Sequence, residues 1–156
     1  MNSLEIISDP INSSGIFAAK MWVKDGSRAD PIHKRGAHQI LGSILSRGCG
    51  PYDNIMLADI VEGCGAALRC ETYEDGMMLS LKSSSQDIFL LLPIIGWMIK
   101  EPHIKIDQIN LEKELSVQAL RRQKENPFHV AFDGWREIAF KGGIYEHDPL
   151  GTLDDI

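Results

Sequence analysis

His38 is the residue whose chemistry and spacing call for explanation first. It opens the run His38-Gln39-Ile40-Leu41-Gly42. On a helix, residues four apart share one face, so position 42 lies one turn beyond His38 on the same side. Here position 41 is leucine and position 42 is glycine. A second place of interest is Glu112 to Ala119, seven residues apart on a long helical stretch, a spacing that returns both to one face together with Leu115. Taken singly, His38 reads as a core histidine flanking an apolar stripe, and Glu112 reads as a solvated helix charge. His33 lies five residues before His38 and diverges around the helix. His103, His129 and His147 have no ligand spacing with each other or with a cysteine. No glycine-rich phosphate loop, serine elbow or Cys-His pair supplies another chemistry.

The elements that must position these residues follow from periodicity. Ala37, Ile40, Leu41, Ile44 and Leu45 recur at helical spacing within the stretch from Arg35 to Gly48. Histidine at 42 would be tolerated in helix propensity, glycine being worse by about a few tenths of a kcal/mol. Before that helix, Leu4 to Ser8 and Ile16 to Val23 read as strands separated by the loop Asn12 to Gly15. Both faces of the second strand are mostly apolar, so it is expected to be covered on both sides or interior to its sheet. After it, Asp53 caps a helix with the stripe Leu57, Ile60, Val61 and Cys64. Ala66 to Tyr73 and Met77 to Lys82 form a hairpin about Glu74-Asp75-Gly76. Ser83 to Ser85 is expected to cap a third helix buried through Ile88, Leu91, Leu92, Ile95 and Ile99, with Pro93 near its start. Asp107 is expected to cap a fourth helix that ends before Pro127, and Phe128 to Phe140 forms a fifth. His147 to Gly151 is a loop, and Thr152 to Ile156 is the start of a further helix. The order predicts an α+β domain over residues 1–156, a mostly antiparallel sheet with helices packed on one face.

Composition narrows the class. With 44% hydrophobic and 24% charged residues, the 156-residue chain can bury a real core. A net charge of −6 without a basic, aromatic-interleaved run argues against nucleic acid. Three cysteines, Cys49, Cys64 and Cys70, make no C-x-x-C pair, and a reduced intracellular setting is expected. Met1 to Ser14 lacks a signal-peptide pattern, which predicts a cytoplasmic location. The apolar run Ile88 to Ile99 is too short to span a bilayer and reads as a buried helix.

Several phrases carry a family likeness. Gly36-Ala37-His38 and the four residues after it resemble the start of the active-site helix in the pitrilysin/insulinase/processing-peptidase family of inverted zincins, whose motif is His-x-x-Glu-His. Gly26-Ser27-Arg28 before that helix and Gly65-Ala-Ala-Leu-Arg-Cys-Glu-Thr72 after it resemble the family's wording. The resemblance runs from Leu4 to Ile156. It implies a processing-peptidase-like metallohydrolase fold, and a chain that stops before the last strand or strands of the family's first domain.

It also implies which positions once did chemistry. The base position holds Leu41, the second zinc ligand position holds Gly42, the first glutamate of the fourth-helix pattern is Glu112, and the third ligand position holds Ala119. Only His38 is retained, so no metal is expected here, although zinc serves the active relatives. The strand bearing Leu68, Arg69, Cys70 and Thr72 corresponds to the one along which substrate peptide pairs. The expected function is that of a non-catalytic partner subunit of an active zinc-bearing homologue, binding peptide or completing the assembly. An active peptidase with an altered metal site and a purely structural assembly subunit are the alternatives.

Overall fold

The computed structural model describes residues 4–10 and 15–156. Among these residues it is an α+β structure. Three antiparallel strands, β1 (Ile16–Val23), β2 (Ala67–Thr72) and β3 (Met77–Ser84), lie in the order β1-β3-β2. Five helices follow the chain as α1 (Ala37–Leu45), α2 (Asn54–Gly63), α3 (Ile88–Lys100), α4 (Ile106–Glu125) and α5 (Pro127–Ala139). The period-2 alternation of β3 sends Met77, Leu79, Leu81 and Ser83 inward and Met78, Ser80, Lys82 and Ser84 outward. Helices α1, α2 and α3 cover the inner face, and Leu79 and Leu81 join Leu45, Leu57, Leu91 and Ile94 in the core. Helix α4 packs on α1, and α5 packs on α4. None of these helices is long and apolar enough to cross a membrane.

Local chemistry explains most boundaries. Asp53 caps α2 by accepting from the Met56 amide at 2.9 Å. Asn126 caps α5 by accepting from the Phe128 amide at 3.0 Å, with Pro127 in the first turn where its missing N–H costs nothing. The turn at Glu74 to Gly76 joins β2 to β3 as the expected hairpin, with Thr72 opposite Met77.

Several expectations from sequence are corrected. Leu4 to Ser8 forms no strand: no strand among the described residues pairs with it, and Leu4, Ile6 and Ile7 are exposed. The loop Asn12 to Gly15 lies outside the described residues except for Gly15. β1 is an edge strand and its second face is open, exposing Ile16 and Trp22. β3 runs on to Ser84, which pairs with Ile16, so the N-cap position of α3 is Asp87 rather than a serine. The buried stripe of α3 is Leu91, Ile94, Ile95 and Met98, while Phe89, Leu92 and Ile99 face outward. It is therefore buried along one face only. The N-cap position of α4 is Lys105, and Asp107 sits inside the first turn, where its charge favours the helix dipole. Thr152 to Ile156 closes in a turn held by Thr152 Oγ1 donating to Asp155 Oδ2 at 2.9 Å, and forms no helix.

Candidate functional site

The site is assembled from the loop between β1 and α1, the hairpin turn, and the facing surfaces of α1, β2 and α4. Gly26 lies so close to the hairpin turn that a Cβ there would stand 2.4 Å from both the Gly76 nitrogen and the Tyr73 oxygen. Only glycine fits. The amides of Ser27 and Arg28 donate to the carbonyls of Tyr73 and Glu74, and Arg28 pairs with Asp75 at 2.8 Å. The phrase Gly26-Ser27-Arg28 thus pins the loop to the hairpin.

That anchored loop delivers Asp30 to the start of α1. The Asp30 side chain is 3% exposed and accepts from the amides of Gly36 (2.8 Å) and His38 (3.0 Å). It also accepts from His38 Nδ1 at 2.6 Å. Asp30 does from six residues away what an N-cap side chain does locally, since Gly36 has none to offer. With Nδ1 bound to Asp30, His38 turns Nε2 toward Asp25, 3.5 Å away. The histidine ring is oriented by carboxylates on both sides, and among the described residues no hydroxyl or thiol is hydrogen-bonded to its ring nitrogens. Asp30 was missed in the sequence because Asp30-Pro31 reads as an ordinary turn and its target lies beyond any local capping pattern.

The positions after His38 are filled by packing. Gly42 is buried against β2, and a Cβ on it would lie 2.5 Å from Thr72 Oγ1 and 3.6 Å from Cys70 Sγ. Thr72 Oγ1 in turn donates to the His38 carbonyl at 3.1 Å. Helix propensity favours histidine over glycine at 42, but Thr72 already holds the space its Cβ would need. Leu41 packs against the hydrophobic core.

Helix α4 packs against α1. Its buried face is Glu112, Ser116 and Leu120, with Ala119 half-buried, whereas Leu115 is exposed and does not share it. Glu112 is not a solvated charge. Its side chain is 7% exposed and Oε1 accepts from Arg47 Nε at 2.9 Å and Nη2 at 2.5 Å. Arg47 stands just past the end of α1, so the pair ties α1 to α4. No signal in the sequence singled out Arg47, because its partner is 65 residues away.

These residues do not fit a catalytic zinc ion. Such a site needs three protein donors and an open position. Leu41, Gly42 and Ala119 offer none, and the Glu112 carboxylate is held by Arg47. Among the described residues, no group of three or more His, Cys, Asp or Glu is placed to hold a metal ion. His33 is exposed in the loop before α1.

Among the described residues β2 pairs with β3 alone, so its other edge has no strand partner there. Leu68, Cys70 and Thr72 turn toward the helices, and Arg69 and Glu71 stand exposed on the other face. Burial, with help from Glu71, pushes the Cys70 thiol up to about 11. The neighbouring Glu71 carboxylate raises the Tyr73 phenol above its usual range. Two cavities of 220 and 340 Å³ lie along α4 and the chain's last residues, and neither is lined by His38 or β2.

Known proteins resemble the chain over nearly its whole length. The β subunit of the mitochondrial-processing peptidase of Lentinula edodes is 23% identical over 155 residues, 99% of this chain and 33% of that protein. Subunit 1 of the bovine cytochrome b-c1 complex is 20% identical over 155 residues, 32% of its length. Among solved structures, a peptidase M16 inactive domain from Pseudomonas fluorescens superposes with a TM-score of 0.83 at 22% identity, covering 91% of this chain and 35% of that one. A protease from Helicobacter pylori gives the same TM-score at 19% identity. The chain spans about a third of the length of these relatives. The insulinase family, peptidase family M16, matches residues 6–152, and the chain belongs to it.

Proposed function

We propose that the protein is a non-catalytic member of the M16 peptidases, acting as a substrate-binding or structural partner of an active, zinc-bearing homologue. The observation that carries this reading is the Gly42–Thr72 contact: the place for a second metal-binding side chain is taken by a threonine bonded to the helix backbone. Leu41 packed against the core and Glu112 held by Arg47 support the same conclusion. Leu41 at the base position and Gly42 and Ala119 at the ligand positions offer neither a general base nor a metal donor there. Binding has its means intact, because a free strand edge recognises extended peptide through main-chain hydrogen bonds and needs no metal.

A purely structural role in a larger assembly is the second reading, favoured by the likeness to a subunit of the cytochrome b-c1 complex. Affinity isolation of the protein from its native cells tests both. Recovery of a homologue with an intact His-x-x-Glu-His helix supports the partner role. Recovery of the chain with a membrane complex and no such homologue transfers the role to assembly. Elemental analysis showing one tightly held zinc per chain, lost in His38→Ala, would overturn both.

A further inference from the structure

The outer face of the sheet carries a charge opposite to that of the chain. Lys20 on β1, Lys82 on β3 and Arg69 on β2 are exposed there, and the only carboxylate among the strand residues of that face is Glu71. The chain as a whole is at −6. The strand register groups the three cations. Lys20 and Arg69 both lie opposite Ser80, and Lys82 lies opposite Ala67. Lys82 is therefore a diagonal neighbour of both other cations, at about 7–8 Å. Among the described residues none of the three is held in an ion pair. Glu71 accepts from the Tyr73 hydroxyl at 3.4 Å, toward the hairpin turn.

The same strand offers its main chain. The Tyr73 amide donates to the Gly76 carbonyl at 2.8 Å, which sets the phase of the β2–β3 ladder. Every second pair of an antiparallel ladder exchanges bonds, so Ala67, Arg69 and Glu71 bond to β3. The Ser85 amide donating to the Gly15 carbonyl at 2.9 Å gives the matching phase on the β1 side of β3. The amides and carbonyls of Leu68, Cys70 and Thr72 therefore point to the opposite edge of β2, where no strand pairs among the described residues.

We propose that the peptide received at this edge is acidic at two alternate residues, one beside Arg69 and the next reaching Lys82 across Ala67. The inference rests on β2 being a peptide-binding edge and adds the chemistry of the peptide. A strand added to β2 lies about 4.8 Å away, and every second side chain rises on the outer face. The one beside Arg69 stands about 4.5–5.5 Å from it, where opposite charges attract and like charges repel. Two residues along, the Ala67 side chain is too short to intervene, and Lys82 on the next strand is the nearest charge. Lys20 lies two strands in and acts only through its field. Glu71 repels a third acid, which fixes the acidic pair at the Ala67 end of the strand.

Fluorescence anisotropy with three short labelled peptides of high strand propensity tests the proposal on the purified chain. They differ only in carrying glutamate, glutamine or lysine at two alternate positions. The glutamate peptide should bind about tenfold tighter than the glutamine peptide at low salt, which two cross-strand charge pairs can supply. Added salt should shrink the difference. The net charge of −6 would by itself favour lysine, so an acidic preference reports the local cations. Arg69→Glu should reverse the order of the glutamate and lysine peptides, and Lys82→Gln should narrow the preference without reversing it. Circular dichroism reports the fold of each variant. Methylating alternate peptide amides should abolish binding by removing the main-chain bonds. If the glutamate and glutamine peptides bind equally, or the lysine peptide binds best, the acidic preference falls while the peptide-binding edge stands. An acidic preference that survives Arg69→Glu in folded protein places the acids elsewhere and also ends the proposal. If no peptide binds, or methylation changes nothing, the reading of β2 as a peptide edge fails and takes the preference with it.

Discussion

The cluster formed by α1, β2 and α4 and the helix α5 solve opposite problems. The first buries charged groups and gives each a partner: Asp30 holds His38 and two amides, and Arg47 holds Glu112. The second also turns charge inward, through Arg136, but leaves its aromatic residues in solvent. In the cluster, polar satisfaction and apolar burial point to the same packing. In α5 they conflict, and the polar bonds of Arg136 win. Burial is therefore no single measure of importance here. The cluster should be costly to alter in the isolated chain, and α5 should be costly only where something covers it.

Glu112→Ala is the strongest test, because it leaves Arg47 facing a buried gap. A loss of about 3–5 kcal/mol is expected in chemical denaturation. A loss below about 1 kcal/mol would mean the pair is solvated after all. Asp30→Asn comes next. It weakens three bonds at the head of α1, and about 2–3 kcal/mol should be lost. Amide exchange at Gly36 and His38 should quicken with it.

Gly42→Ala isolates the close approach of α1 to β2. Helix propensity favours alanine by about 1 kcal/mol, but overpacking against Thr72 costs about 1–3 kcal/mol. Net destabilisation is expected in the native background and stabilisation in a Thr72→Ala background. If alanine stabilises both, the helix does not press on the strand.

Cys70 gives a smaller, pH-dependent effect. The folded thiol holds its proton to about 11, whereas the ordinary value is 9.0. The unfolded chain therefore ionises first, and stability falls as pH rises from about 9 toward 11. Below 9 the group contributes no pH dependence. Alkylation of folded Cys70 should be slow at neutral pH and climb about tenfold per pH unit up to about 11; rapid neutral alkylation of that residue would remove the burial argument. Smallest of all, Phe128→Ser should change the stability by less than about 0.5 kcal/mol. A larger loss would show that the aromatic face of α5 packs within the single chain.

The sequence by itself determined the elements whose signals are local. β1, the hairpin at Glu74 to Gly76, the Asp53 cap and the helical stripe of α1 rest on alternation, turn chemistry and period alone. It also determined that Leu41, Gly42 and Ala119 are not metal donors, since identity suffices for that. Tertiary structure decided what stands in their place. Thr72 fills the space beside Gly42, Arg47 answers Glu112 across 65 residues, and Asp30 caps a helix that begins beyond its own turn. Periodicity likewise finds the apolar sides of α3 and α5 but cannot say which of them is buried. That depends on which partner surface each helix meets, and for α5 the decision came from Arg136, Glu74 and the His147 carbonyl. Local patterns encode what a segment can be. Which side of it turns inward is set by contacts between residues far apart in the chain, and those exist only once the fold has brought them together.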